Sequence, residues 1–178
     1  MSILKLIFLC TVQVFLAATA VSASSSDLPF TLGIRDSIMI AHSFHDNPAF
    51  GPAGKLHGAT YTCDVEFKCK SLTPTLNWVM DIGKASDLLS RVLSKYNLKN
   101  LDEIFPDKTL TTTEFMARQI HRDLVELLLK ECVEIGDSSG SSGSNDQACS
   151  SDSKLEGKIL VKLWESHKAW ASYEAAIE

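Results

Sequence analysis

The sequence lacks an excess of positive charge, and beyond its N-terminus it lacks any long hydrophobic run. Its 17 Lys and Arg are outnumbered by 22 Asp and Glu, a balance that gives no basic surface for nucleic acid or for an anionic membrane. None of the five Cys has the CxxC spacing of a redox or zinc motif, and there is no internal sequence repeat. We therefore expect neither a nucleic-acid partner nor stable insertion into a membrane.

One apolar run does occur, and it lies at the N-terminus. Lys5 precedes a mainly apolar stretch over residues 6–20, and the small residues at 21–23 suit signal peptidase. We predict that residues 1–23 are a secretory signal, so that the protein is secreted or reaches an organelle through the secretory pathway. An N-terminal membrane anchor is the alternative, although the run is short for a bilayer span. Residues 24–178 are then long enough for one domain with its own core.

Four cysteines follow the predicted signal, and an even number in an oxidising compartment permits two disulfides. Cys63 and Cys69 lie in one predicted strand, which would separate them by roughly 20 Å and prevent a bridge between them. Cys132 and Cys149 are the natural pair, because they flank a flexible Gly/Ser-rich insert at about 136–154. Closing that loop would contribute about 3 kcal/mol. The alternative is that all four are free buried thiols.

Alternating and β-branched residues predict the strands of a sheet. Residues 61–69 alternate cleanly between apolar and polar side chains, which is typical of an antiparallel strand with one solvated face. The segment before this strand contains two Pro and two Gly and predicts a loop. The four predicted strands cover about residues 30–44, 57–70, 78–80 and 158–166.

Two helices are predicted between the third and fourth strands. Asp81 is placed to cap a helix whose apolar residues recur at helical spacing over residues 82–93. A second helix is predicted over about residues 111–132, since Thr111 and Glu114 fit a capping box. The order of elements predicts an α+β fold, an antiparallel four-stranded sheet with two helices on one face.

A histidine-containing segment follows the predicted loop. It reads Ala53-Gly54-Lys55-Leu56-His57-Gly58-Ala59, and His42 lies upstream. This order resembles the 6-pyruvoyl-tetrahydropterin synthase family, most closely its 6-carboxy-tetrahydropterin synthase branch, where a Cys-Gly-x-Leu-His-Gly-His segment follows an earlier His. In that family three His hold zinc and the Cys works on the substrate. The resemblance implies His42 and His57 as zinc ligands, while the third ligand falls on Ala59 and the catalytic Cys on Ala53.

The resemblance covers about residues 30–176 apart from the Gly/Ser insert, and it implies the tunnelling fold. Family members assemble as rings in which the sheets join into an oligomeric barrel, commonly a hexamer of two trimers, with active sites between subunits. We therefore expect a homo-hexamer or another homo-oligomer, an assembly that would also pair the edges of a small sheet.

The resemblance leaves the third zinc ligand open. Glu165 matches the Glu that anchors the pterin ring in the family, and on an extended strand His167, two residues further on, would face the same side. His167 is therefore our first candidate for the third ligand and a candidate proton carrier, with His45 as the second choice of ligand. The Thr and Glu that lie near the pterin in the family correspond to Thr112 and Glu114, although a helix cap explains the same residues.

The catalytic Asp-His pair of the family is altered as well. Its Leu-Asp-His segment here reads Leu101-Asp102-Glu103. Asp102 and Glu103 are candidate proton-transfer residues, and Glu103 could act as a substitute base if it were buried near the metal. The alternative for Glu103 is an ordinary surface residue.

Two functions remain open from the sequence. The first is a zinc-dependent lyase, or related carbon-bond chemistry, on a pterin or a similar small heterocycle or aldehyde. The second is a non-catalytic ligand-binding or scaffold oligomer, because Ala53 has no proton to exchange. Export from the cytosol indicates a changed substrate or an organelle reached through the secretory route, since the triphosphate substrate of pterin synthesis is made in the cytosol.

Overall fold

The computed structural model describes residues 28–131, 133, 135–136 and 157–177. The predicted signal peptide, the predicted Cys132–Cys149 disulfide and nearly all of the Gly/Ser insert lie outside these residues. Among the helices of the described ranges, none combines the length and the apolar character that crossing a lipid bilayer requires.

The strands of the described residues form a single mixed sheet. It has five strands in the order β3-β1-β2-β4-β5. β1 pairs with β2 along its whole length, β2 pairs with β4 and β4 with β5, all antiparallel, while β3 runs parallel to the end of β1. The strands are β1 (Phe30–His42), β2 (His57–Cys69), β3 (Lys99–Asn100), β4 (Gly157–Trp164) and β5 (Trp170–Ala176).

The helices cover one face of this sheet. α1 contacts β1, and α3 contacts β4, β5 and α1, so the two longer helices form one layer over the strands. This confirms the predicted α+β fold with two helices on one face. A 3₁₀ segment (Pro48–Gly54) joins β1 to β2, and the α-helices are α1 (Ile82–Ser94), α2 (Leu101–Ile104) and α3 (Thr113–Lys130).

The sheet has one strand more than the predicted four, and its edges differ from the prediction. The strand predicted at 78–80 is wrong, because these residues form bends and Val79 accepts a hydrogen bond from the Gly136 amide at 2.7 Å instead of pairing in the sheet. Val79 is nevertheless only 6% exposed, so its apolar character reflects packing in the core. The extra strands are the two-residue β3 and β5, which completes a hairpin with β4.

The hydrophobic core lies between the sheet and the helix layer. Alternate residues of β2 from Tyr61 to Cys69 point into it and are at most 1% exposed, which confirms the alternation read from the sequence. Truncating one of these side chains, Phe67→Ala, would cost about 3–5 kcal/mol. The side chains that α1 buries against this face are Ala85, Leu88, Leu89, Val92 and Leu93.

The helix caps follow the sequence, with a shift of one residue at the second helix. Asp81 caps α1 as predicted and accepts a 2.7 Å hydrogen bond from an amide of the first turn. Thr112 caps α3 and accepts a 3.2 Å hydrogen bond from the amide three residues later. The predicted capping box between Thr111 and Glu114 is therefore wrong, and Thr111 and Thr113 are available for other contacts.

Cys63 and Cys69 are free and buried. This confirms that the two do not bridge each other. Burial raises the pKa of Cys63 to about 12, so its thiol stays protonated and unreactive near neutral pH.

His121 is a buried histidine within α3. Its charged neighbours in the sequence predict a solvated side chain, and this prediction is wrong, because His121 is only 4% exposed. Its Nε2 lies 3.4 Å from the Ala175 carbonyl oxygen, and its ring packs edge-on against Tyr173 with centroids 5.0 Å apart. The imidazole thus joins α3 to β5.

We predict that acid destabilises the fold through His121. Burial lowers the pKa of His121 in the folded protein, whereas a His in an unfolded chain has a pKa of about 6.5. The unfolded state therefore takes up the proton first, and stability present above about pH 6.5 is lost on acidification at up to about 1.4 kcal/mol per pH unit. Urea unfolding of wild type and His121→Gln from about pH 8 to about pH 5 measures this. Equal losses in both proteins would contradict it.

Candidate metal centre

Two histidines meet where β1 ends and β2 begins. His42 is the last residue of β1, His57 is the first of β2, and the antiparallel register places them directly opposite each other. Their rings lie with centroids 4.6 Å apart, and the two Nε2 atoms are separated by 3.1 Å. Residues facing each other across two strands point to the same side of the sheet, so both imidazoles face the helix layer.

Backbone carbonyl groups fix the tautomers of both rings. His42 Nδ1 lies 3.1 Å from the Thr111 carbonyl oxygen and 3.0 Å from Thr111 Oγ1. His57 Nδ1 lies 2.8 Å from the Lys55 carbonyl oxygen. Because a carbonyl oxygen only accepts, each Nδ1 carries a hydrogen and donates it. Both Nε2 atoms of the neutral rings are then bare lone pairs that face each other, the state in which imidazole ligates a metal.

The protein environment keeps His42 neutral. Burial lowers the pKa of His42, and the neighbouring His57 lowers it further. The Thr111 carbonyl and the carboxylates of Glu165 and Asp102 oppose this shift without reversing it. A neutral His42 preserves the lone pair on Nε2 near neutral pH.

Glu165 brings a carboxylate to the two histidines. It follows the end of β4, and antiparallel pairing with β2 places the end of β4 at the same end of the sheet as His42 and His57. One ligand atom from each of the three residues lies within 4.8 Å of the others. Thr113 Oγ1 donates a 2.6 Å hydrogen bond to Glu165 Oε2 and so orients the carboxylate.

The three residues fit a zinc ion. Two neutral imidazole nitrogens and a carboxylate form a donor set that zinc uses in catalytic sites, where a fourth position stays open for water or substrate. Zinc–nitrogen bonds of about 2.0–2.1 Å at a tetrahedral angle hold two nitrogens about 3.3 Å apart. The observed 3.1 Å between the Nε2 atoms of His42 and His57 is close to this spacing.

Two threonines that support the site were missed in the sequence. Thr111 is fully buried and contacts His42, while Thr113 in the first turn of α3 contacts Glu165. The consecutive threonines are visible in the sequence, but the predicted capping box used Thr111 and gave Thr113 no role. Three adjacent Thr at a helix start therefore do three tasks, namely holding a histidine, capping the helix and holding a carboxylate.

The structure does not bring His167 or His45 to this group. β4 ends at Trp164, and the Glu165 amide bonds the Ala169 carbonyl across a turn, so the extended spacing expected between Glu165 and His167 is absent. His167 is exposed, and the group formed within the described ranges contains neither His167 nor His45. Any metal role for either residue stays a prediction.

Asp102 and Glu103 differ in their surroundings. Asp102 accepts hydrogen bonds from the Ser43 amide at 3.1 Å and from Ser43 Oγ at 2.7 Å. Since Ser43 directly follows His42, Asp102 secures the chain next to a metal-binding candidate. Glu103 is exposed, and its contact is with Asn100 Nδ2 at 3.4 Å. The burial that a substitute base needs is absent at Glu103.

The structure also shows where the remaining residues named in the sequence analysis lie. Thr112 is the cap of α3, and Glu114 is exposed in the first turn of that helix. Ala53 lies exposed in the 3₁₀ segment. Ala59 lies on β2 two residues after His57, on the same face of the strand. Substrate binding by Thr112 or Glu114 stays a prediction.

Fold and site together define an α+β protein with a helix-covered sheet and a His-His-Glu group at one sheet end. The family model for 6-pyruvoyl tetrahydropterin synthase matches residues 31–140, more than half of the chain. The chain therefore belongs to the 6-pyruvoyl tetrahydropterin synthase family.

Solved structures share this fold at low sequence identity. The Caenorhabditis elegans 6-pyruvoyl tetrahydropterin synthase is 22% identical, with a TM-score of 0.58 over 83% of this chain and 96% of that chain. The Plasmodium falciparum 6-pyruvoyl tetrahydropterin synthase is 14% identical, with a TM-score of 0.54 over 83% and 98% of the two chains. An uncharacterized protein from Wolinella succinogenes is 12% identical, with a TM-score of 0.53 over 84% and 98%. A comparison with curated proteins gave no match.

We predict that Asp102 stabilises the fold and that its neighbour Glu103 does not. Asp102→Ala leaves the amide and hydroxyl of Ser43 without their acceptor, which should lower the free energy of unfolding by about 1–3 kcal/mol. Glu103→Ala is the matched control and should change it by less than about 0.5 kcal/mol. Urea unfolding of the metal-free proteins measures both, and comparable effects of the two substitutions would refute the assignment.

Proposed function

We propose that this family member binds one zinc ion through His42, His57 and Glu165 and acts as a lyase-type enzyme on a small molecule. The observation that carries the proposal is the pair of Nε2 atoms 3.1 Å apart, each on a ring whose Nδ1 contacts a carbonyl oxygen. Two bare lone pairs at that distance repel each other unless a cation lies between them. A carbonyl oxygen that accepts from the other ring nitrogen is an arrangement in which proteins orient histidine ligands.

Each residue has a separate task in this proposal. His42 and His57 hold the metal with lone pairs that the Thr111 and Lys55 carbonyls orient. Glu165, held by Thr113, lowers the net charge of the site. A bound zinc ion supplies Lewis-acid polarisation of a carbonyl or hydroxyl oxygen.

The substrate we propose is a pterin or a related small heterocycle or aldehyde. Support comes from family membership, because the matching structures from Caenorhabditis elegans and Plasmodium falciparum are named 6-pyruvoyl tetrahydropterin synthases. The chemistry must differ from that of the family in its proton transfer. Ala53 carries no ionisable group, both oxygens of Asp102 are occupied by Ser43, and Glu103 is exposed.

We also propose that the chain assembles as a homo-oligomer, a hexamer or another ring. β3 covers only the last residues of β1, and β5 forms the opposite edge of the sheet. Open edges favour pairing with further strands, and Phe30 and Trp170 add exposed apolar surface at these edges, at 40% and 51% exposure. Sedimentation equilibrium of the purified chain tests this, and a monomer at all concentrations would refute it.

A non-catalytic ligand-binding or scaffold protein is the second candidate function. The alanines at positions 53 and 59 favour it, because neither offers a proton or a ligand atom. The two functions differ in their requirement for the metal. Turnover of dihydroneopterin triphosphate by the zinc-loaded protein would exclude the scaffold function, whereas a wild-type protein that takes up no zinc would exclude the enzyme.

We predict near-stoichiometric zinc in the wild type and a specific loss in one variant. Glu165→Gln keeps the shape of the side chain but removes the charge, and should weaken zinc binding by more than about tenfold. His167→Ala is the control, because His167 is exposed and outside the group, and it should retain the zinc. Elemental mass spectrometry after dialysis against a chelator measures both. Loss of zinc in His167→Ala with retention in Glu165→Gln would reverse the assignment.

We predict that a histidine at position 59 rescues the loss of the Glu165 carboxylate. Residues two apart on a strand face the same side, so Ala59→His adds an imidazole beside His57. The double variant Ala59→His/Glu165→Gln should bind zinc at least about tenfold more tightly than Glu165→Gln alone. Competition with a zinc-binding dye measures the affinities, and absence of rescue would argue against a metal between the strands. Thr60→His, on the opposite face, is the matched control and should not rescue.

A further inference from the structure

Tyr61 is a buried tyrosine beside the candidate metal centre. The residue is 0% exposed, and its hydroxyl makes no hydrogen bond within the part of the chain that the structure describes. Buried hydroxyl groups in folded proteins are almost always hydrogen-bonded, since an unpaired one costs free energy. Among the described residues His45 Nε2 and Thr73 Oγ1 are also buried without a partner, but the Tyr61 ring packs against His42, a residue of the candidate site.

Tyr61 lies beside the His-His-Glu group. It is four residues after His57 on the same face of β2, and its ring packs edge-on against His42 with centroids 6.2 Å apart at 87°. A tyrosine hydroxyl has an ordinary pKa of about 10, so it is protonated at neutral pH and is available as a donor.

We propose that the Tyr61 hydroxyl is the hydrogen-bond donor that this site reserves for an oxygen of its ligand. The inference rests on the proposed function, because the ligand oxygen is the one that lies at the metal. A donor directed at an oxygen on which negative charge develops stabilises that charge, so Tyr61 contacts the reacting atoms and is a catalytic residue. Tyr61 retains its proton in this role and donates a hydrogen bond only.

The donor and the proposed metal define the class of ligand. A hydroxyl that donates requires an oxygen acceptor, and a metal held by His42, His57 and Glu165 also binds oxygen. The site therefore favours a ligand whose carbonyl or hydroxyl oxygen lies at the metal and accepts the hydrogen bond from Tyr61.

An unpaired donor reserved for a ligand has a signature that a structural hydroxyl lacks. Removing a hydroxyl that has no partner costs the free protein nothing and relieves an unpaired polar group, while it removes a contact from the complex. Removing a hydroxyl that has a hydrogen-bond partner in the protein destabilises the free protein and leaves ligand binding unchanged. Tyr96 provides the matched control, because it is also buried but donates a 2.5 Å hydrogen bond to Asp123.

The experiment compares Tyr61→Phe and Tyr96→Phe in the full chain. The probe is acetohydroxamic acid, which binds metals through its carbonyl oxygen and its deprotonated hydroxamate oxygen. It is titrated into cobalt-loaded protein and followed by visible absorption. Tyr61→Phe should unfold at the wild-type temperature or above when metal-free, retain cobalt, and bind the probe about tenfold more weakly. Tyr96→Phe should unfold at a lower temperature and bind the probe like the wild type.

The outcomes separate this inference from the proposed function. If Tyr61→Phe unfolds at a lower temperature, or binds the probe as tightly as the wild type, the Tyr61 hydroxyl is structural and the inference is overturned while the metal site stands. If the wild-type protein binds neither zinc nor cobalt, the proposed function fails, and the role of Tyr61 fails with it.

Discussion

The antiparallel register between β1 and β2 is the constraint on which the site depends. The two 13-residue strands pair from Phe30 opposite Cys69 to His42 opposite His57, so the two imidazoles meet where the ladder ends. A slip of one residue would turn every side chain of one strand to the other face and separate His42 from His57. The buried alternation of β2 fixes the register, because a slip would bring its charged residues into the core.

The start of α3 fixes the positions of the site residues and connects the two histidines to Glu165. Thr111 holds His42, and Thr113 holds Glu165, which arrives from the end of β4. The positive end of the helix dipole lies on this side and favours a carboxylate there. Glu165, far along the chain, thus lies beside the two histidines, close to Ala59, which carries no ligand atom.

Much of the fold could be predicted from the sequence, and less of the site. The alternation from Tyr61 to Cys69 and the Asp81 cap are local signals, and both gave the correct elements. The strand predicted at 78–80 is wrong. A short apolar run is compatible with a strand or with any other buried segment, and only its hydrogen-bond partners distinguish these possibilities. The prediction that His167 would face the same side as Glu165 assumed that β4 continued past Trp164, and a turn begins there instead.

The sequence by itself determined the α+β class, the family and the pairing of His42 with His57, because periodicity and a short ordered motif are properties of neighbouring residues. The tertiary structure alone decided that Glu165 joins the two histidines and that Thr111 and Thr113 orient the group. It also decided that the Tyr61 hydroxyl is unpaired among the described residues. The physical reason is separation along the chain. Contacts between Thr113 and Glu165, which are 52 residues apart, arise from helix–sheet packing that no local pattern encodes.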